Sequence, residues 1–243
     1  MDIIDHNVIK IYELQQQKFL TVNVNRSSEF GRVLTIAFTP DSQIIAGAGA
    51  DKIIRLWDIL KRQKILTEFD FVLRRRVQAI SFSPDGQTLV AGDSSGLIKF
   101  WNWQEKQEIT RFEEDNFSVE SLALSPNGQR LVGGGGYGER GGMIKIYDVK
   151  NGESICKIHD ISTSEWGKIS SIGFSSYSDF FASGSSDAQV KIWDTEKGEL
   201  LHTLWDEGEI GVRSVAFNPN GDTLIAAMEQ DKVYVWHREE ETE

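Results

Sequence analysis

Apolar and polar side chains alternate along this chain in short runs that return in a fixed order. Val33, Thr35 and Ala37, and again Val77, Ala79 and Ser81, keep a period of two, the spacing that sets every second side chain of a pleated strand on one face. Each such run leads into a turn. The turns read Pro-Asp-Gly or Pro-Asn-Gly in most copies: proline presets the first corner, Asp or Asn caps its own backbone, and glycine accepts positive φ. A second apolar run follows, closed by small polar residues, in QIIAGAGAD, QTLVAGDSSG, QRLVGGGG, DFFASGSSD and DTLIAAMEQD. The third run carries an aromatic residue, in IRLWDI (54–59), IKFWNW (98–103), IKIYDV (144–149), VKIWDT (190–195) and VYVWHR (233–238). A more variable fourth run completes the unit in QKILTEF (63–69), QEITRF (107–112), ESICKIH (153–159) and ELLHTLW (199–205).

The repeat is fixed by distance as well as by composition. All four prolines, Pro40, Pro84, Pro126 and Pro219, stand in the first turn, and three of them lie seventeen residues before Trp57, Trp101 and Trp236. Ser176 keeps the same offset to Trp193, while a four-residue insertion stretches the third copy between Pro126 and Tyr147. A truncated copy opens the chain at IKIYEL (9–14) and KFLTVNV (18–24), so Tyr12, Trp57, Trp101, Tyr147, Trp193 and Trp236 recur every 43 to 46 residues. That period is one of four-stranded blades.

The Trp-Asp close of the third run and the Ser-Pro-Asp-Gly turn resemble the WD-repeat β-propeller family over nearly the whole chain. The resemblance implies an all-β propeller of about five to six four-stranded blades. It forms a single domain over 1–243, with a partial N-terminal repeat (1–24), repeats near 33–73, 77–112, 119–159, 169–205 and 212–237, and an acidic tail (238–243). Trp-Asp itself is intact at Trp57-Asp58 and Trp193-Asp194 only, and the family's Gly-His before the first strand is replaced in every copy. Its turn aspartate matches at Asp51 and Asp187 and gives way to Ser95 and Gln230. Ring closure is expected to be incomplete or unusual. Either KFLTVNV lies beside the last copy, which lacks a fourth run, or the blades form an open arc completed by a second chain or a longer parent protein.

Composition narrows the function. A net charge of −11 argues against non-specific binding to nucleic acid or anionic membrane. No apolar run approaches a membrane span, the N-terminus is too charged for a signal peptide, and the lone Cys156 offers no disulfide framework. A cytoplasmic protein is expected. Gly92-Asp93-Ser94-Ser95-Gly96 matches a nucleophile elbow in letters, but it joins two strands where an elbow enters a helix. The four histidines have no metal-ligand spacing, and the loop 133–142 lacks the Gly-Lys-Ser/Thr close of a phosphate loop. No cofactor, metal or catalytic residue is expected.

What remains is surface. By the resemblance, loops joining fourth to first strands and second to third strands share one rim, the usual docking face of the family. The candidates there are Arg74, Arg75 and Arg76, Tyr137 and Arg140 on the glycine-rich insertion, and Trp166. The expectation is a non-enzymatic scaffold that presents this rim to a protein or peptide. The alternative is an anion-recognition module that takes a phosphopeptide or phosphoinositide on Arg74, Arg75 and Arg76, since guanidinium groups bind carboxylate and phosphate bidentately. Lys10, Arg55, Lys99, Lys145 and Lys191 recur one place into the aromatic strand and are expected to be structural.

Overall fold

The computed structural model describes residues 8–13, 17–23, 32–61, 63–65, 71–136, 141–159, 167–205 and 210–238. A two-stranded hairpin comes first, β1 (Val8–Glu13) with β2 (Lys18–Asn23). The first blade holds β3 (Val33–Phe38), β4 (Ile44–Gly49), β5 (Ile53–Asp58) and β6 (Gln63–Lys64), with β7 (Phe71–Val72) also paired to β5. The second has β8 (Val77–Phe82), β9 (Thr88–Asp93), β10 (Leu97–Asn102) and β11 (Gln107–Glu113). The third has β12 (Ser118–Leu124), β13 (Arg130–Gly136), β14 (Gly142–Asp148) and β15 (Ser154–His159). The fourth has β16 (Ile169–Phe174), β17 (Phe180–Ser185), β18 (Gln189–Asp194) and β19 (Leu200–Trp205). The last has three strands, β20 (Val212–Phe217), β21 (Thr223–Met228) and β22 (Val233–His237). All pairings are antiparallel, between strands that are neighbours in sequence or one strand apart.

Local chemistry explains each turn. In the second blade the Ser83 hydroxyl accepts from Thr88 N at 2.9 Å and donates to Asp85 at 2.5 Å, while Asp85 accepts from Gln87 N at 2.9 Å. Gly86 closes the turn at a φ of 72°, a value that costs a residue without Cβ nothing. Thr39 and Asp41 repeat the arrangement in the first blade, and Ser125 and Asn127 in the third. Every innermost strand then carries a register shift near its start, between Val33 and Thr35, Val77 and Ala79, Val119 and Ser121, Ile169 and Ser171, and Val212 and Ser214. A bulge there adds to the strand's twist.

The core lies between blades rather than within one. Ile54 and Leu56 of the first blade pack with Ile80, Leu89 and Trp101 of the second; Ile98 and Phe100 of the second pack with Leu122 and Tyr147 of the third. Trp57, Trp101, Tyr147 and Trp193 are buried in these junctions, so the aromatic period marks structural anchors. Fourth strands reach across too: Phe112 of β11 stacks on Tyr147 of the next blade, ring centroids 5.2 Å apart. Three of the recurring cations are structural as well, and the Lys10 side chain lies outside the described residues. Lys145 is buried against Glu114 and lies over the Phe117 ring at 5.2 Å, Lys99 pairs with Glu108 at 3.0 Å, and Arg55 pairs with Asp51 at 2.5 Å. Burial and the neighbouring Glu114 carboxylate push the Tyr147 hydroxyl pKa well above its ordinary value.

Residues 18–23 lie apart from the expected place beside the last blade. β2 pairs with β1 instead, and Ile9 and Ile11 of β1 pack with Trp57 and Ile45. The reason is visible in the repeat: Ile9 and Ile11 align with Ile54 and Leu56, the residues that cover the next blade's aromatic anchor at the junction downstream. The hairpin is the outer half of a blade. Inner strands pack in order, β3 on β8, β8 on β12, β12 on β16 and β16 on β20, and among the described residues no comparable packing joins β20 to β3.

Candidate functional site

The loop before β8 and the turn after β9 meet on the rim of the second blade. Asp93, the last residue of β9 and fully buried, holds them together: one carboxylate oxygen accepts from Arg74 N at 3.1 Å and Arg75 N at 2.9 Å. The other accepts from Ser95 N at 2.8 Å, Ser95 Oγ at 2.7 Å and Leu97 N at 3.2 Å. A carboxylate so fully satisfied tolerates burial, because five donors replace its water. The equivalent positions carry Gly49, Gly135, Ser185 and Met228, so this clamp belongs to the second blade. Gly96 follows it, and a Cβ there would lie 2.1 Å from the Glu114 carbonyl oxygen. Only glycine fits.

The three arginines are exposed but not alike. Arg74 is committed to Glu113, Nη1 to Oε2 at 2.9 Å and Nη2 to Oε1 at 2.8 Å. Arg75 and Arg76 make no side-chain hydrogen bond or ion pair among the described residues, and both line an open groove of about 620 Å³ together with Lys52, Ser94, Ser95 and Phe117. Lys52 enters from the first blade's turn with a φ of 69°, at the place of Gly96 in the second. A lysine in that region is held at a conformational cost. Asp115 is the carboxylate of the groove. Arg32 and Lys168 hold the place of Arg76 on two other blades, as the matching bonds Ala50 N to Arg32 O, Ser94 N to Arg76 O and Ser186 N to Lys168 O show. Within this groove the cations Lys52, Arg75 and Arg76 outnumber Asp115, while Arg75 also borders a second groove with Arg74, Glu113, Glu114 and Asp115.

Of the six residues singled out by sequence, the structure brings Arg75 and Arg76 into one groove and turns Arg74 aside to Glu113. Tyr137, Arg140 and Trp166 lie outside the described residues. Lys52 and Asp93 were missed. Asp93 had a signal, a charged residue inside an apolar run where other copies carry small or apolar residues. Gly92 to Gly96 runs from the end of β9 through the turn that leads into β10, so no helix follows it. A separate apolar cleft of about 410 Å³ lies between the last two blades, walled by Leu201, Leu204, Phe217, Leu224 and Trp236.

Blade architecture, repeated turn and buried aromatic anchors define a WD-repeat β-propeller. The family model of the WD domain, G-beta repeat, matches residues 22–58, 71–102, 106–148, 156–194 and 198–237, and the chain belongs to that family. Among curated relatives it is 30% identical to small ribosomal subunit protein RACK1y of Oryza sativa subsp. japonica, over half of this chain and 33% of that protein. It is 36% identical to meiotic recombination protein rec14 of Schizosaccharomyces pombe, over 46% of this chain and 34% of that one. Eukaryotic translation initiation factor 3 subunit I of Phaeosphaeria nodorum matches at 23% identity over 80% of this chain and 48% of its own length. The chain thus spans between a third and a half of the length of these relatives.

Proposed function

We propose that this chain is a non-catalytic protein-interaction scaffold of the cytoplasm that docks an acidic segment of a protein partner on its rim, in the groove of Lys52, Arg75 and Arg76. One observation carries this reading: Arg75 and Arg76 have no intramolecular partner among the described residues, yet the Asp93 clamp fixes the backbone of the loop that presents them. With the backbone of this loop already ordered, binding is spared that ordering cost, and the unpaired cations steer an acidic segment toward the groove. Family membership supports the scaffold role, and the ribosomal and initiation-factor relatives are members of large assemblies by their names. No group of His, Cys, Asp and Glu among the described residues is arranged to hold a metal, and no helix there is long and apolar enough to cross a membrane.

The same two guanidinium forks suit phosphate, which makes phosphopeptide or phosphoinositide recognition the second reading. A fluorescent oligoglutamate peptide, its phosphoserine counterpart and phosphoinositide vesicles are to be titrated against the wild type and an Arg75→Glu/Arg76→Glu variant. Peptide binding is expected to weaken with salt and to fall at least tenfold in the variant, with equal melting temperatures. Equal binding by both proteins would remove the groove from the function, and binding to vesicles alone would favour the lipid reading.

A further inference from the structure

The groove of Lys52, Arg75 and Arg76 has an opposite wall, and that wall carries a single carboxylate. Residues 114–117 form it by joining β11 to β12, and they are anchored at both ends. Glu114 N donates to Gly96 O at 3.1 Å, and the Glu114 carboxylate accepts from the buried Lys145 ammonium and, at 3.2 Å, from the Tyr147 hydroxyl. Phe117 is fully buried, with the Lys145 ammonium 5.2 Å from its ring centroid. Between these anchors Asn116 turns the chain at a φ of 57°, a region that asparagine enters more readily than most residues. Asp115 stands exposed beside that turn and makes no hydrogen bond or ion pair among the described residues. The second groove, of about 350 Å³, continues from the first, because Arg75, Ser95 and Asp115 line both. Its other charges are already matched, Arg74 by Glu113 and Glu114 by Lys145.

We infer, resting on the docking function proposed above, that the docked segment is of mixed charge: acidic residues for Lys52, Arg75 and Arg76, followed by a lysine or arginine for Asp115. A chain running from the first groove into the second meets three unpaired cations and then, at the shared boundary, one unpaired carboxylate. An acidic residue at that boundary faces like charge on a fixed wall, whereas a basic one gains an ion pair there. Asp115 is thereby the specificity-determining residue of the groove. It works against a polyanion, peptide or phosphate alike, and in favour of a segment whose acidic run ends in a cation, so that repulsion and attraction select the same partner. The arginines alone would take any anion; the carboxylate beside them restricts the choice.

Two fluorescent peptides test this, an oligoglutamate run followed by two glycines and a lysine, and the same peptide with glutamine in place of the lysine. Each is titrated at low salt against the full-length wild type, Asp115→Asn and Glu105→Gln, the last removing an exposed carboxylate beyond the far end of β11. The wild type is expected to favour the lysine peptide about threefold more than Asp115→Asn does, the scale of an exposed ion pair. Asp115→Asn should also bind the glutamine peptide more tightly than the wild type, and Glu105→Gln should keep the wild-type preference. All three proteins should melt alike, since both substituted side chains are exposed. The same preference in the wild type and Asp115→Asn, or its loss in Glu105→Gln as well, would overturn the mixed-charge segment. Acidic docking itself would survive that result if Arg75→Glu/Arg76→Glu still weakened both peptides. Should that variant bind both peptides as the wild type does, the groove would lose its function and this inference would fall with it.

Discussion

The four junctions between the described blades and the two faces beyond them are built from the same repeat positions, yet they differ completely in exposure. Ile80, Leu122, Ile172 and Val215 are between 5% and 7% exposed, whereas their equivalent in the first blade, Ile36, is 49% exposed. At the other end Val235 is 51% exposed, where Leu56, Phe100, Ile146 and Ile192 stay at 9% or below. Ile36 and Phe38 face the side on which β1 and β2 supply only the outer half of a blade; Ile225, Val233 and Val235 face the side on which no further blade stands among the described residues. An apolar residue in a repeat protein is thus core or surface according to its neighbour, and its own sequence does not decide which.

The sharpest way to break this comparison is at the anchors. Trp193 is buried and its indole N–H donates to Ser183 Oγ at 2.8 Å; Trp236, its equivalent, is only half-buried in a blade of three described strands. Trp193→Ala should cost about 3–5 kcal/mol in urea unfolding, and Trp236→Ala less than half of that because less area is removed from contact. Equal losses would mean that the last blade is as well covered as the fourth.

A smaller contrast lies between Ile80 and Ile36. Ile80→Ala opens a cavity in the first junction and should destabilise by about 2–4 kcal/mol, while Ile36→Ala should stay within about 0.5 kcal/mol, as exposed substitutions do. If Ile36→Ala proved as costly, something would have to cover the incoming face of the first blade in solution.

Next comes the clamp. Asp93→Ala strands the Arg74, Arg75, Ser95 and Leu97 amide donors, and should cost on the order of 1–3 kcal/mol. Amide exchange at Arg74 and Arg75 should accelerate while exchange in β17 and β18 does not. Uniform acceleration across all blades would show that Asp93 supports global stability without a special hold on the groove.

Much of this architecture was legible. Period-two runs, the proline turn and the aromatic anchor placed strands and blades, because each is a local consequence of backbone geometry. The place of residues 18–23 was misjudged: an absent fourth strand in the last copy suggested a partner for KFLTVNV, but Ile9 and Ile11 had a nearer use over Trp57. At the rim, Arg74, Arg75 and Arg76 look interchangeable in sequence. They part only because Glu113, 39 residues away from Arg74, is brought beside it by β10–β11 pairing, while Lys52 arrives from another blade. Long-range partners of this kind leave no mark in a local pattern.

The smallest expected effect separates two turns of one geometry. In the second blade the Ser83 hydroxyl, and then the Gln87 backbone N–H, hold the Asp85 pKa below its ordinary value of 3.8. In the third blade Ser125 donates to Asn127 at 2.7 Å and Gln129 N to the same oxygen at 3.0 Å, the same turn without a titrating group. A carboxyl whose folded pKa is depressed contributes stability that is present above 3.8 and is lost as pH falls through the lowered folded value. Asp85→Asn converts the second turn into a copy of the third and removes that contribution. The variant should therefore be slightly less stable than the wild type at neutral pH, with the two stability curves converging as the pH is taken below 3.8. Asp41, held down by Thr39 and the Gln43 backbone N–H, should behave in the same way. Urea midpoints measured from pH 7 to pH 2 would test this, and curves that remain parallel throughout would show that the serine hydroxyl serves aspartate and asparagine equally.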